Sequence, residues 1–596
     1  MASSDDAHHS PYIFAPPRTV GELMRYFSAI LGPESSFYWL AIIYGIGISL
    51  LSLATPISVQ MLINTVANSG LTTPLIVLSF TLFGLLLVAV LLNALRIHLM
   101  ELFSRRFYAR MVSDIALRSI YALNPFFADQ GRGTLHNRYF DIVIVTKRVP
   151  ALLVGGFTLL LQSVVGFVLV SLYHPYFLIF NMLVLGLLYI VWLIWGRRSI
   201  KSALDLSHKK HATAGWLEAL GESNGFYKKQ SHVDKALDET DAYTGQYIKQ
   251  QKVHFGHTYG QTLALLLIYA TASATLLGLG GWLVIQSQLS IGQLVAAELV
   301  LSVVFVGVSQ LGTYLTYFYD LCAAIDELSL FHDTALEDPP GVGEPLPEFC
   351  SLSFQRACGE ARGRPTEFNL AIEAGTWVLA VAQNYSIQRL FSNLLRRHEE
   401  PQSGMVTYGG VDITAIAAHE LRQEVIVLDK PQIVSMTVRE YLEICLGRQD
   451  NKRIREAIAL VGLEDTVAEL NEGLDTLLMS TGWPLSIAET MQLKLAGALL
   501  SEPEMLVLNQ LYDVLTDEVL ERSLATLRQP GQKNKTTVVY FTNNRSHLRF
   551  DSYLYLGATE QHQLKSYAEM RRVAEERSLD EEGAVPRPVK PLGARA

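Results

Sequence analysis

Three short segments carry the residues whose types and spacing bear on phosphate and metal chemistry. Ala382-Gln-Asn-Tyr-Ser-Ile-Gln-Arg-Leu390 follows the apolar run Thr376–Val381 and opens a helical rhythm. At such a strand-to-helix turn, backbone N–H groups can close around phosphate. The chemistry calls for glycines that let backbone approach the ligand, a lysine for the outer phosphates and a hydroxyl for Mg²⁺. This segment has no glycine and no lysine. A second apolar run, Met505–Leu508, ends in Asn509-Gln510. Both side chains are neutral amides, so neither serves as an anionic metal ligand or a general base. The third segment, Leu485-Ser-Ile-Ala-Glu489, offers one hydroxyl and one carboxylate at the start of another apolar helical pattern.

The chain that must position these segments has 596 residues, too many for one ordinary domain. Half of its residues are hydrophobic and only 18% are charged. The mean hydropathy is +0.23. The apolar excess lies before about Tyr319. The net charge of −9 is spread over both halves and leaves no nucleic-acid footprint. The cysteines Cys322, Cys350, Cys358 and Cys445 follow no metal or disulfide spacing and read as reduced. The start lacks the basic segment of a cleaved signal peptide, and His8-His9 read as solvated.

Six runs are long and apolar enough to cross a bilayer core of roughly 30 Å. They are Phe37–Leu62, Leu75–Leu95, Ala151–Leu172, Phe177–Trp195, Thr262–Ile285 and Leu294–Tyr319. Ahead of them, Val20–Ser28 has the rhythm of a helix lying on the membrane surface. The loops Ile63–Pro74, Tyr173–Tyr176 and Gln286–Gln293 contain no Lys or Arg. The two longer connections carry Arg105, Arg106, Arg110, Arg118, Arg138, Lys147 and Arg148, and Arg197, Arg198, Lys201, Lys209 and Lys210. The positive-inside rule therefore places both termini and these connections in the cytoplasm. Both connections keep helical spacing without strand patterning, which predicts helices that run far from the membrane and turn back. Glu298 is the acidic residue inside the spans, a pathway candidate by its cost in lipid. Its place near the outer boundary lets it snorkel instead.

After Asp333 the pattern changes. Asp338–Pro347 has linker composition, and the short apolar runs Thr376–Val381, Val425–Leu428, Met505–Leu508 and Thr537–Phe541 alternate with helical stretches. Strands that are apolar throughout suit a buried α/β core. The charged, proline-bearing stretch from about Ala568 reads as disordered.

In this arrangement the chain resembles a half-transporter of the ATP-binding cassette (ABC) exporter family over roughly Val20–Tyr567. The resemblance is carried by Leu277–Ala297, Asn137-Arg-Tyr-Phe-Asp141, Ala374-Gly375 and Ser403–Ile413. It implies an all-α, six-helix transmembrane domain followed by an α/β P-loop NTPase-like nucleotide-binding domain. The expected layout is a disordered tail over 1–18, a transmembrane domain over 19–333, a linker over 334–347, a nucleotide-binding domain over 348–567 and a disordered tail over 568–596. Short coupling segments would lie near Leu123–Phe127 and Glu218–Phe226.

By the same resemblance, Ala382, Ile387, Gln388 and Arg389 stand at the phosphate-loop positions of glycine, glycine, lysine and hydroxyl. Asn509 and Gln510 stand for the metal-binding aspartate and the catalytic glutamate, Asp429 for the metal-sensing glutamine and Asn543 for the switch histidine. Leu485, Ser486, Ile487, Ala488 and Glu489 stand for the signature L-S-G-G-Q, which in the family caps the ATP of a facing domain. The expectation is therefore a catalytically impaired exporter subunit of the inner membrane, paired with an ATPase-competent half. ATP and Mg²⁺ would be held only through that partner, and none by this chain alone. The cargo would be a peptide or protein, with the bilayer and periplasmic adaptor proteins as further partners and no nucleic acid. The alternative is a non-transporting scaffold or regulator, a homodimer that neither binds nor hydrolyses ATP.

Overall fold

The computed structural model describes residues 20–69, 72–123, 132–337, 343–347, 351–528, 536–542 and 549–583. The chain divides into two compact units, with the break between Leu336 and Glu337.

The first unit is helical. Among its described residues the only β pairing is an isolated bridge from Ala122 to Leu336. Helix α1 (Val20–Leu31) is held to the end of the unit, since Tyr26 Oη donates to Asp333 Oδ1 and Phe27 meets the ring of Phe318. The first span consists of α2 (Ser35–Leu51) and α3 (Ala54–Ser69). They break at Ser52-Leu53 because Pro56 lacks an N–H and its ring crowds the carbonyl four residues back. Helix α4 (Thr72–Tyr121) carries the second span.

The third span lies in α6 (Phe157–Ser171), which a π-helical turn over Leu152–Gly156 joins to the preceding α5 (Asp141–Ala151). Glycine is needed in that turn, because a Cβ at Gly155 would collide with the Tyr314 ring. Helices α7 (Pro175–Glu222) and α8 (Gln230–Ile285) meet at a tight turn over Asn224–Lys228. Helix α9 (Ile291–His332) starts with a Ser290/Gln293 capping box. All six expected spans fall in helices long and apolar enough to cross a membrane. At 1.5 Å per residue, the 48 residues of α7 reach about 72 Å, over twice the bilayer core. The expected segment Glu218–Phe226 is the α7–α8 turn; of Leu123–Phe127, residues 124–127 lie outside the described residues.

The second unit holds two sheets. One, antiparallel, contains β1 (Leu352–Ala361), β2 (Arg364–Ile372), β4 (Ser403–Tyr408) and β5 (Val411–Asp412), in the order β2-β1-β4-β5. The other contains β3 (Trp377–Ala382), β6 (Val425–Leu428), β7 (Met505–Leu508), β8 (Thr537–Phe541), β9 (Ser552–Leu556) and β10 (Gln561–Leu564). Its order is β10-β9-β3-β8-β7-β6, and every pairing is parallel except β10 with β9. Alternate residues of the central strands feed two cores. Leu379, Leu506, Leu508 and Tyr540 face one; Val378, Ala380, Val507 and Val539 face the other. Burial on both faces explains why these strands read as unbroken apolar runs.

One expectation is corrected here. The stretch from 568 is not a disordered tail throughout, because helix Tyr567–Gly583 occupies its first part. Met570 is fully buried, and Tyr567, Val573 and Ala574 share its helical face against the core. The charges that suggested disorder lie on the rest of that helix. Residues 584–596, like the tail over 1–18, lie outside the described residues.

Candidate functional site

Ala382 ends β3, and helix α10 (Tyr385–Leu395) starts three residues later. Of the two residues between them, Asn384 is extended (φ −152°, ψ 166°), and its side chain accepts a hydrogen bond from the Ile387 N–H at 3.1 Å. Asparagine at this position supplies an oxygen to one of the four N–H groups that a helix start leaves open. Neighbouring groups are engaged too. The Gln383 N–H donates to Leu556 O at 2.8 Å, and Arg362 Nε donates to Ser386 Oγ at 3.0 Å. Ile387 is 1% exposed in the core with Phe354, Phe368, Leu390 and Phe391. Gln388 is also buried, and Arg389 is half-buried.

Asn509, at the end of β7, is buried and fully engaged. Its N–H donates to Leu428 O at 3.1 Å, its Nδ2 to Asp429 O at 3.2 Å, and its Oδ1 accepts from the Leu511 N–H at 3.1 Å. Gln510 is exposed. The structure thus brings Asp429 and Asn509 together at adjacent strand ends. The Asp429 carboxylate pairs with Arg396 Nη2 at 3.0 Å, and Lys494 Nζ donates to the carbonyls of Lys430 and Gln432. Burial pulls the Lys494 ammonium below its ordinary range; Asp429 opposes this, while Arg396 and Lys430 add to it. Nearby His398 is pushed down to about 3 by burial and by Arg396, Arg422 and Lys430, so it is neutral.

After α11 (Ala418–Glu424), α12 (Val438–Leu446), α13 (Asn451–Val461) and α14 (Glu464–Glu469) comes α15 (Ile487–Leu500), which Ser486 caps in a reciprocal box with Glu489. The Glu489 N–H donates to Ser486 Oγ at 3.3 Å, and the Ser486 N–H donates to Glu489 Oε2 at 2.7 Å. The second carboxylate oxygen accepts from Thr466 Oγ1 at 3.0 Å. Burial works against the Glu489 charge, but the hydrogen bonds from Ser486 and Thr466 outweigh it and hold the carboxyl below its usual range. Leu485 is buried, Ala488 half-buried, and Ile487 is 66% exposed. Asn543 lies outside the described residues.

The arrangement has two helix starts, α10 and α15, each closed by a side chain of its own chain. Reading the sequence for phosphate chemistry missed Asn384, although an Asx residue directly before a helix is a readable cap. It also missed Arg396 and Lys494, whose partners lie far away in sequence. In the first unit Glu298 is half-buried, and its Oε2 has no hydrogen-bond partner among the described residues. Arg96, one residue past the second expected span, is buried against Asn93 and Thr158. Among the described residues no group of His, Cys, Asp or Glu is placed to hold a metal.

Comparison with known proteins adds the following. Residues 38–216 match the ABC transporter transmembrane region. The chain is 23% identical over 488 residues to a leukotoxin translocation ATP-binding protein, LktB, of Mannheimia haemolytica, covering 80% of this chain and 68% of that one. It is 24% identical over 491 residues to the mitochondrial ATP-dependent permease MDL1 of Saccharomyces cerevisiae, covering 77% and 68% respectively. A bacterial Atm1-family ABC exporter solved with ATP bound has the same fold, with a TM-score of 0.75 at 16% identity over 93% of this chain and 99% of that one.

Proposed function

Since the chain belongs to the ABC exporter family, as a multi-pass subunit with six spans and an α/β nucleotide-binding domain, we propose that it is an exporter half that does not hydrolyse ATP with its own residues. It works beside a second, ATPase-competent half. The observation that carries this reading is the self-capping of α10 and α15. A phosphate at either helix start must compete with a side chain already bonded there. At α15 that side chain is itself an anion.

Three further features support it. Asn509 and Gln510 are neutral, Asp429 is paired with Arg396, and the buried Ile387 side chain stands where backbone must approach phosphate. The residues present do not fit Mg²⁺-ATP, so ATP and Mg²⁺ belong to the partner's site. The charge asymmetry of the loops favours the inner membrane with both termini and the α/β domain in the cytoplasm. Likeness to a leukotoxin translocation protein favours peptide or protein cargo; periplasmic adaptors as further partners rest on the family resemblance alone.

Mild-detergent purification of the tagged chain from native membranes, with every stoichiometric companion identified, tests the proposal. An equimolar exporter half with intact motifs, and ATP turnover that appears only in the pair, is the expected result. The Ser486–Glu489 box favours a second reading, a homodimeric scaffold, because it closes this chain's contribution to a partner's site as well. Recovery of the chain only with itself and without turnover would select that reading. Turnover by the isolated chain that is abolished at Asn509 or Gln510 would refute both.

A further inference from the structure

Two histidines one turn apart on α7 each reach a buried carboxylate on another helix. His211 Nε2 lies 2.6 Å from Asp141 Oδ2 on α5, and His208 Nε2 lies 2.9 Å from Asp326 Oδ2 on α9. Their surroundings differ in charge. Asp141 also accepts from Lys210 Nζ at 2.8 Å, so that carboxylate has a lysine ammonium beside it. Asp326 is followed directly by Glu327, and both are at most 1% exposed. The facing cation is Arg138, from the 3-10 segment Arg132–Phe140, whose Nε lies 2.7 Å from Glu327 Oε2. Glu327 Oε1 has no hydrogen-bond partner among the described residues and lies 4.0 Å from His208 Nε2. On α7 itself Asp205 adds a further negative charge beside His208. From α8, the neutral Gln246 and Gln250 face α7 on either side, at Lys209 and Ser202.

Two buried acids face the His208 ring, and a proton on that ring sets a cation against both of them. Uncompensated buried charge is strongly destabilising, and histidine is the side chain whose charge changes near neutral pH. We propose that His208 is a proton-binding site of the membrane unit, and that its bound proton fastens α7 to α9. It lies 13 residues, about 20 Å, beyond the apolar run that ends at Trp195. The sign follows directly. The folded state favours the protonated ring, so the fastening is complete in mild acid and is lost as pH rises and the ring gives up its proton. The adjacent Asp326 and Glu327 then lose the cation that His208 had set against them.

The test uses the full chain in detergent with its histidines labelled at the ring Cε1. The His208 resonance is assigned by its loss in His208→Gln or, equally, in His208→Lys. Its chemical shift is followed from pH 5.5 to 9, together with the thermal unfolding midpoint. The expected result is that His208 keeps its proton at pH values where free imidazole has lost it. The midpoint should fall with rising pH in the wild type and in His211→Gln, and lose that fall in His208→Lys, whose charge is permanent over the range. A His208 resonance that titrates like free imidazole, or below it, would overturn the proposal. So would a fall in midpoint that survives intact in His208→Lys.

Discussion

Replacing Ile387 by glycine restores, on paper, a residue that a phosphate loop requires. We expect it to damage the protein instead. Ile387 is 1% exposed, packed with Phe354, Phe368, Leu390 and Phe391 beneath the first turn of α10. Truncating a buried isoleucine to alanine costs about 2–5 kcal/mol, according to how far the cavity collapses. Glycine in the first helical turn adds about 0.5 kcal/mol through backbone freedom. The sum is about 4 kcal/mol, a large share of the 5–15 kcal/mol by which a typical domain is stable. Hydrogen exchange on the full chain reads this locally, in peptides covering residues 377–395. A loss of 4 kcal/mol corresponds to exchange about a thousandfold faster where protection depends on this helix. Nucleotide binding is measured on the same sample with a fluorescent ATP analogue, for Ile387→Gly, Gln388→Lys and the double variant. Unchanged protection with micromolar binding in any of them would refute the reasoning. The side chain would then be a removable obstruction rather than part of the core.

Further outcomes follow from the same geometry. Glu489→Gln should weaken the start of α15 by about 1 kcal/mol, since the cap bond persists while the anion at the helix N-terminus is lost. Because the folded state holds the Glu489 carboxyl low, its contribution is present above the ordinary carboxylate range and fades as pH falls through the folded titration. Exchange in residues 485–492 should therefore rise in acid for the wild type, and depend less on pH in Glu489→Gln. Asp429→Asn alone should destabilise the second unit by about 2 kcal/mol, since it leaves the half-buried Arg396 without its anion. Joining it to Arg396→Met should recover most of that loss, a coupling that a double-mutant cycle on the unfolding midpoint measures. Asn384→Ala should cost about 1 kcal/mol at the start of α10 without creating a nucleotide site, as exchange and ATP-analogue titration will show.

Much of the architecture could be read directly because its physics is local. A span is about 20 apolar residues in one run, as in Phe177–Trp195, and a strand buried on both faces is an unbroken run such as Met505–Leu508. Phe37–Leu62 reads as one run and hides the break in the first span, although Pro56 signals it by local chemistry. What escaped is long-range or conditional. Arg396 and Asp429 are 33 residues apart, and Arg138 and Glu327 are 189 apart, so no spacing announces either pair. The helix after Tyr567 was hidden by its charges, because its apolar face shows only once Met570 has a core to enter. At the candidate site the residue types were legible, but not their engagement. Ser486 looks like a free hydroxyl until its bonds with Glu489 are seen.

The unbroken length of α7 has a mechanical consequence. From Trp195 to Glu222 the helix continues for about 40 Å with no hinge, and α8 runs back alongside it. Such a rod acts as a lever whose fulcrum is the membrane surface. Pivoting it by about 10° carries the tip near Glu222 through roughly 7 Å, more than one full helical turn. A displacement applied at that tip arrives at the bilayer reduced in distance and multiplied in force, so small rearrangements among the spans can be driven by broad, weak strokes far from the lipid.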